Sequence, residues 1–201
     1  MKGAKWQVLE SELIVDHPHV EVAMEKISLP NGEIIHDWPI VHARDFVNAV
    51  VFNEDGKALI LDGYKHGARR CSWQVVGGYL KPDEDPLSAI QRDLLEETGY
   101  HSNEWRYLGG FVIDANRHVG VGHFFLCLNA QQVALPTSDD QEEFSTRWVS
   151  VKDLQYALMD GRISIISYAM NVSLALMALN KVAQNQALAY LIAHAAQNGD
   201  N

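Results

Sequence analysis

The amino-acid sequence predicts an α/β domain with a mixed sheet, preceded by an appended antiparallel strand unit. Three observations carry that expectation. Residues 6–45 alternate in places between apolar and polar with period two between turn signals, a capped helix over residues 86–98 has strand-like segments on both sides, and from Val151 onward the pattern turns helical and alanine-rich. With 201 residues, 47% of them hydrophobic, the chain can fill one full core and carry an additional element, which divides it at 1–45 and 46–201.

The elements follow in order. WQVLESELIV and VEVAMEKISL read as strands, and Pro30-Asn31-Gly32 before EII is a turn signal because Asn-Gly tolerates positive φ. FVNAVVF, the turn Asn53-Glu54-Asp55-Gly56 and KALILDGYK read as a hairpin, and WQVVGGYL as a third strand ending in glycines. Asp85 is a natural N-cap, Pro86 suits the first helical position and Gly99 stands just past the end, so the helix spans 86–98 with Leu87, Ile90 and Leu94 as its apolar stripe. WRYLGGFVID and VGHFFLCLNA are two further strands around the polar loop Ala115-Asn116-Arg117-His118, and FSTRWVS is the last. Beyond Val151 a helix is interrupted at Gly161, and residues 164–196 read as one long or two shorter helices.

Composition excludes several classes of partner. The formal net charge is -10 and no Lys/Arg-rich run could follow a phosphate backbone, so nucleic acid is not an expected partner. No segment approaches ~18 uncharged apolar residues and the N-terminus lacks a signal-like apolar stretch, which leaves no expected membrane span and a cytoplasmic location. Cys71 and Cys127 stand far apart in sequence, as reduced structural thiols do.

The chemistry concentrates in RDLLEETG, residues 92–99. Asp93, Glu96 and Glu97 stand at i, i+3 and i+4, where like charges share a helix flank and each pair costs roughly 0.2–0.5 kcal/mol. They also occupy the last turns, whose dipole favours cations. A solvated acidic face is one reading. The other is a hard-oxygen site for Mg²⁺ or Mn²⁺, with Glu84 as a fourth acid and Gly77-Gly78 offering a closely approachable backbone carbonyl. His17 and His19, like His118 and His123, have no Cys or acidic ligand at a zinc-like spacing.

Gly78, five residues, Glu84, seven residues and then Arg92-Asp93-Leu94-Leu95-Glu96-Glu97-Thr98-Gly99-Tyr100 closely resembles the Nudix box. Asp93 is the departure, since the family pattern has Glu there. Together with the Tyr64-Lys65-His66 segment, the acidic stretch TSDDQEEF and the C-terminal helix, the chain is similar to the ADP-ribose and nucleoside-diphosphate-sugar pyrophosphatases. That resemblance implies a Nudix α/β/α sandwich, a homodimer joined through the N-terminal strands, and Mg²⁺- or Mn²⁺-dependent hydrolysis of a diphosphate linkage in a small nucleotide. It implies Glu96, Glu97 and the Gly77 carbonyl as metal ligands, Asp93 as a ligand or water-orienting group, and Arg92 as the group that positions a neighbouring carboxylate. A catalytic carboxylate comes from the loop 137–143 in relatives; Asp140 fits, with Glu142 and Glu143 as rivals. Lys65, Arg69, Arg70 and Arg117 are the candidate phosphate contacts. Trp6 and Trp38 are candidates for stacking a base or for packing an interface. The expected cleft lies between Gly77, the box helix and the loop 137–143. The competing expectation is a catalytically weak sensor of nucleotide sugars, for which Asp93 speaks.

Overall fold

The computed structural model describes residues 5–137 and 144–181. It opens with a three-stranded meander, β1 (Gln7–His17), β2 (Val20–Ser28) and β3 (Ile34–Ala43), in which the turn at Gly32 has φ +86°. Then come β4 (Phe46–Val51), β5 (Ala58–Lys65), a 3-10 turn (His66–Ala68), β6 (Arg70–Gln74), β7 (Val76–Tyr79) and α1 (Pro86–Thr98). The remainder is β8 (Tyr100–His101), β9 (Glu104–Asp114), β10 (His118–Leu128), β11 (Gln131–Gln132), β12 (Phe144–Val149), α2 (Val151–Met159) and a helical stretch through 166–181, here α3.

A mixed sheet runs β1-β2-β3-β10-β4-β7, with β9 antiparallel to β10. Along one side β10 pairs in parallel first with β3, at Val41 and His42, and then with β4 from Phe46 to Val51. The N-terminal unit is therefore continuous with the central sheet. A second antiparallel sheet, β12-β5-β6, and a short β8-β11 ladder complete the strands. Alternation along β4 sends Val47, Ala49 and Val51 to one face, where they pack with Ala89, Ile90 and Leu94 of α1. Val50 and Phe52 go to the other, against Leu154 and Ala157 of α2 and Val172, Ala175 and Leu176 of α3. Helices thus cover both faces, the α/β/α sandwich expected.

Helix α1 has the predicted bounds because its signals are local. Asp85 accepts from Ser88 N–H at 3.0 Å, Pro86 follows, and Gly99 ends the helix at φ +73° with its N–H on Leu95 C=O at 2.9 Å.

Four local expectations are corrected by tertiary pairing. The segments on either side of Asn53–Gly56 turn as predicted, but β4 and β5 share only the Phe52–Ala58 bridge before diverging into different sheets, because each face of each strand has its own helix layer to meet. WQVVGGYL is two strands, 70–74 and 76–79, again in different sheets, and the glycines lie inside β7 instead of ending it. Leu87 is exposed, and Ala89 packs in its place beside Ile90 and Leu94. Asp93 does not lie on an exposed flank with Glu96: it is 5% exposed, beneath β7. Gly161, at φ +84°, interrupts the C-terminal helices as expected; the part of the 164–196 prediction beyond residue 181 lies outside the described residues.

Candidate active site

Strand β7 is the edge of the mixed sheet among the described residues, and Gly77 and Gly78 present opposite faces of it. Gly78, paired with Val47, looks toward α1. A Cβ there would come within 2.8 Å of Asp93 Oδ2. Gly77, paired with Asn48, looks toward α3, and a Cβ there would lie 2.1 Å from Val47 O and 2.2 Å from Asn48 Nδ2. Neither position admits a side chain without moving backbone or a buried group, so the glycine pair is what lets two polar groups close on one edge strand from both sides.

On the α1 face, Arg92 organises the acids. Its Nε and Nη2 donate to Glu84 Oε1 and Oε2, each at 2.9 Å, in a bidentate pair, while Nη1 donates to Asp93 Oδ1 and lies 3.5 Å from Glu96 Oε2. Glu84 also accepts the Lys81 N–H at 2.9 Å. These bonds hold the Glu84 carboxyl down at about 2. Asp93 goes the other way, to about 6, because burial outweighs the adjoining guanidinium and Glu96 and Glu84 add like charge. Asp93 Oδ2 is buried with no hydrogen-bond partner among the described residues.

Arg92 offsets the like charges of the cluster through its contacts to Glu84, Asp93 and Glu96. No three His, Cys, Asp or Glu side chains among the described residues converge to hold a metal ion. In donor type the set still suits a hard divalent cation: carboxylates from Asp93, Glu96 and Glu97, one buried oxygen without a partner, and a side-chain-free strand edge at Gly77.

The end of α1 is tied to the acidic loop. Thr137 N–H donates to Glu96 C=O at 2.8 Å, and the N–H groups of Val133 and Ala134 both reach Gly99 C=O. After the loop, Phe144 pairs with Gly63, two residues before Lys65. Asp140, Glu142 and Glu143 themselves lie outside the described residues. Their anchoring points join the carboxylate end of α1 to the end of β5.

The other face of β7 borders a cavity of about 550 Å³. Phe46, Asn48, Gly77 and Tyr79 line it from the sheet, Lys65 and His66 from the end of β5, and Ile165, Ser167 and Tyr168 from the start of α3. Its far wall is α3, which packs on the face of β4 away from α1; the cleft expected between Gly77, the box helix and the loop 137–143 falls in part on residues outside those described. Arg69 and Arg70 stand just beyond Lys65, with an Arg70 Nη2 contact to Gly161 O at 3.5 Å. Arg117, Trp6 and Trp38 gather elsewhere, where the β9–β10 turn meets the N-terminal unit. Trp6 and Trp38 contact edge-to-face at 5.4 Å, Trp38 Nε1 donates to Asn116 O at 3.0 Å, and Arg117 C=O accepts from Val41 N–H. Sequence reading missed Asn48, although a lone polar residue inside the apolar run FVNAVVF was a legible signal.

Comparison with known proteins agrees with this fold. The NUDIX domain family matches residues 42–167. The chain is 25% identical over 158 residues to a CMP-5'-(N-acetyl-N-hydroxy-3-aminopropyl)phosphonate hydrolase of Streptomyces rubellomurinus, covering 79% of this chain and 76% of that protein. It is 23% identical over 144 residues to an ADP-ribose pyrophosphatase of Bacillus subtilis, covering 72% and 77%. A crystal structure of an ADP compounds hydrolase superposes with a TM-score of 0.77 at 16% identity, covering 90% of this chain and 97% of that one, a likeness of fold.

Proposed function

The chain belongs to the NUDIX domain family and is a Nudix hydrolase, and we propose that it cleaves the diphosphate linkage of a nucleoside diphosphate joined to ribose or another sugar, with Mg²⁺ or Mn²⁺. The observation that carries this reading is the placement of β7 between the α1 acids on one face and the Lys65-lined cavity on the other. A diphosphate at that edge meets carboxylates and a cationic side chain together.

Glu96, Glu97 and the Gly77 carbonyl would hold the cation, with Asp93 beside them. When bound, the ion supplies charge neutralisation of the diphosphate and a more acidic water. The chain's own residues do the rest. Arg92 keeps Asp93 and Glu96 in register through its contacts to both, and Glu84 fixes the guanidinium from the opposite side. Asp93, ionised at neutral pH with its carboxyl near 6, is a better proton acceptor than an ordinary aspartate and orients the attacking water. Asp140, Glu142 and Glu143 are the other candidate bases. Lys65, Arg69 and Arg70 draw the phosphates toward the cavity, while Arg117, Trp6 and Trp38, gathered at the N-terminal unit, serve the packing of that unit. The reading includes a homodimer through residues 1–45, supported by the exposure of all eleven residues of β1, and a cytoplasmic location. No helix among the described residues is long and apolar enough to cross a membrane.

The test is a panel of ADP-ribose and nucleoside-diphosphate sugars incubated with Mg²⁺ and with Mn²⁺, scored by phosphatase-coupled phosphate release. Turnover that survives exhaustive chelation overturns the metal assignment. Asp93, standing where the family pattern has Glu, speaks for one alternative, a sensor that binds such nucleotides without cleaving them; it is selected if binding is measured and hydrolysis is not, and if Asp93→Glu gains activity.

A further inference from the structure

We infer that Asn48 is a specificity-determining residue, whose buried carboxamide accepts a hydrogen bond from a sugar hydroxyl of the substrate inside the cavity between β4, β7 and α3. The inference rests on the hydrolase reading above and deepens it.

Asn48 is 4% exposed, and its Oδ1 has no hydrogen-bond partner among the described residues. A buried amide oxygen without a partner is costly to keep, and in a strand otherwise made of Phe46, Val47, Ala49, Val50 and Val51 an apolar residue would be the cheaper choice for folding alone. The residue is not remote from the chemistry. It is the direct cross-strand partner of Gly77, whose missing Cβ is what allows the Asn48 amide to approach. It lines the cavity, on the face of the sheet opposite Asp93.

The cavity has the size and lining of a small-ligand site. About 550 Å³ falls within the ~300–1,000 Å³ usual for such pockets. Lys65 supplies a cation at one end, the rings of Phe46, Tyr79 and Tyr168 supply apolar walls, and Asn48 supplies a buried acceptor. With a phosphate drawn to Lys65, the group covalently attached to it is the one that enters the cavity, and in a nucleoside diphosphate sugar that group is a pentose or hexose. Its hydroxyls are donors of the kind an amide oxygen pairs with. A buried acceptor of this kind rejects a ligand that cannot satisfy it, which is how a polar pocket discriminates more sharply than an apolar one.

The experiment compares wild type with Asn48→Leu, using ADP-ribose and inosine diphosphate ribose as probes, with calorimetric binding of ADP-ribose measured beside kinetics. The expected result is a rise in KM, and a matching loss of affinity, of about tenfold on both probes, with the loss falling on KM rather than kcat. The same substitution raises the thermal unfolding midpoint, because an unsatisfied polar atom leaves the core. A purely structural asparagine would lower the midpoint and leave KM alone, which overturns the inference. A KM penalty confined to ADP-ribose places the donor on the base amine that inosine lacks, and overturns the sugar assignment. Should Asn48→Leu fail to fold, Asn48→Ala removes the same oxygen and is read by the same criteria. If wild type hydrolyses neither probe yet binds ADP-ribose through Asn48, the hydrolase reading falls and this inference stands. If wild type hydrolyses both and Asn48→Leu matches it in KM and affinity, the inference falls and the hydrolase reading stands. If wild type neither binds nor cleaves either probe, both fall.

Discussion

The surroundings of Gly77 and Gly78 and the N-terminal meander use β-strands to opposite ends. Around the glycine pair the strand edge is closed in on both sides, with Asp93 over one residue and Asn48 over the next, and a guanidinium tying three acids together behind it. In the meander, β1 is exposed along its whole length, keeps Val8, Leu13 and Ile14 more than half in solvent, and is joined to its neighbour by the charge pair of Lys26 with Glu10 at 2.7 Å. The first region is closed in by described residues of the same chain. The second has apolar surface and strand edge that no described residue covers, so it should answer to a partner, and substitutions in the two regions should fail in different ways.

That contrast can be broken at its strongest point by glycine replacement. Gly77→Ala places a Cβ 2.1 Å from a backbone carbonyl, and should cost about 3 kcal/mol or more of stability together with most of the activity. Gly32→Ala meets nothing within 4 Å but strains a turn at φ +86°, and should cost only about 1 kcal/mol, with activity kept. Denaturant unfolding of both variants, beside their turnover, decides it; equal costs would show that the closed edge is no more constrained than the turn.

Next in size are the carboxylates of α1. Glu97→Gln should lower kcat by ~10²-fold or more if charge stabilisation dominates the reaction. Asp93→Glu should change turnover by about tenfold or more in either direction, since the longer side chain must be accommodated where Asp93 Oδ2 already sits against Gly78. An inert Asp93→Glu beside a dead Glu97→Gln would make Asp93 a spectator, and shift the search for the base to Asp140, Glu142 and Glu143.

A pH series tests the Glu84 side of the Arg92 network. Glu84 has its folded-state pKa lowered from 4.5 to about 2, so its stabilising contribution is fully present above the unfolded value and is lost as pH falls through the folded one. The difference in unfolding midpoint between wild type and Glu84→Gln should therefore be widest above about pH 5 and shrink toward about pH 2. A gap that stayed constant across that range would show that the Glu84–Arg92 pair contributes no pH-dependent stability.

The smallest effect on the protomer should come from β1. Leu13→Glu, on an exposed site, should change stability by about 0.5 kcal/mol or less, yet convert a dimer to a 22.5 kDa monomer in sedimentation at micromolar concentration. A wild type that already sediments as the monomer removes the reason offered for the exposure of β1.

What could be read along the chain was whatever depends on near neighbours. The bounds of α1 follow from Asp85, Pro86 and Gly99, the strand segments from their alternation, and the box from its spacing, because caps, periodicity and side-chain reach act over a few residues. The same spacing told that Asp93, Glu96 and Glu97 share one part of a helix, though not that Asp93 is buried and Glu96 exposed. That difference depends on β7 crossing α1 at Gly78. Likewise, nothing in FVNAVVF or KALILDGYK tells that β4 and β5 part into two sheets, or that Asn48 faces a cavity walled by α3 more than a hundred residues later. Strand partners and the second wall of a site are set by which distant apolar faces bury one another, and that competition among long-range contacts is decided only when the whole chain packs.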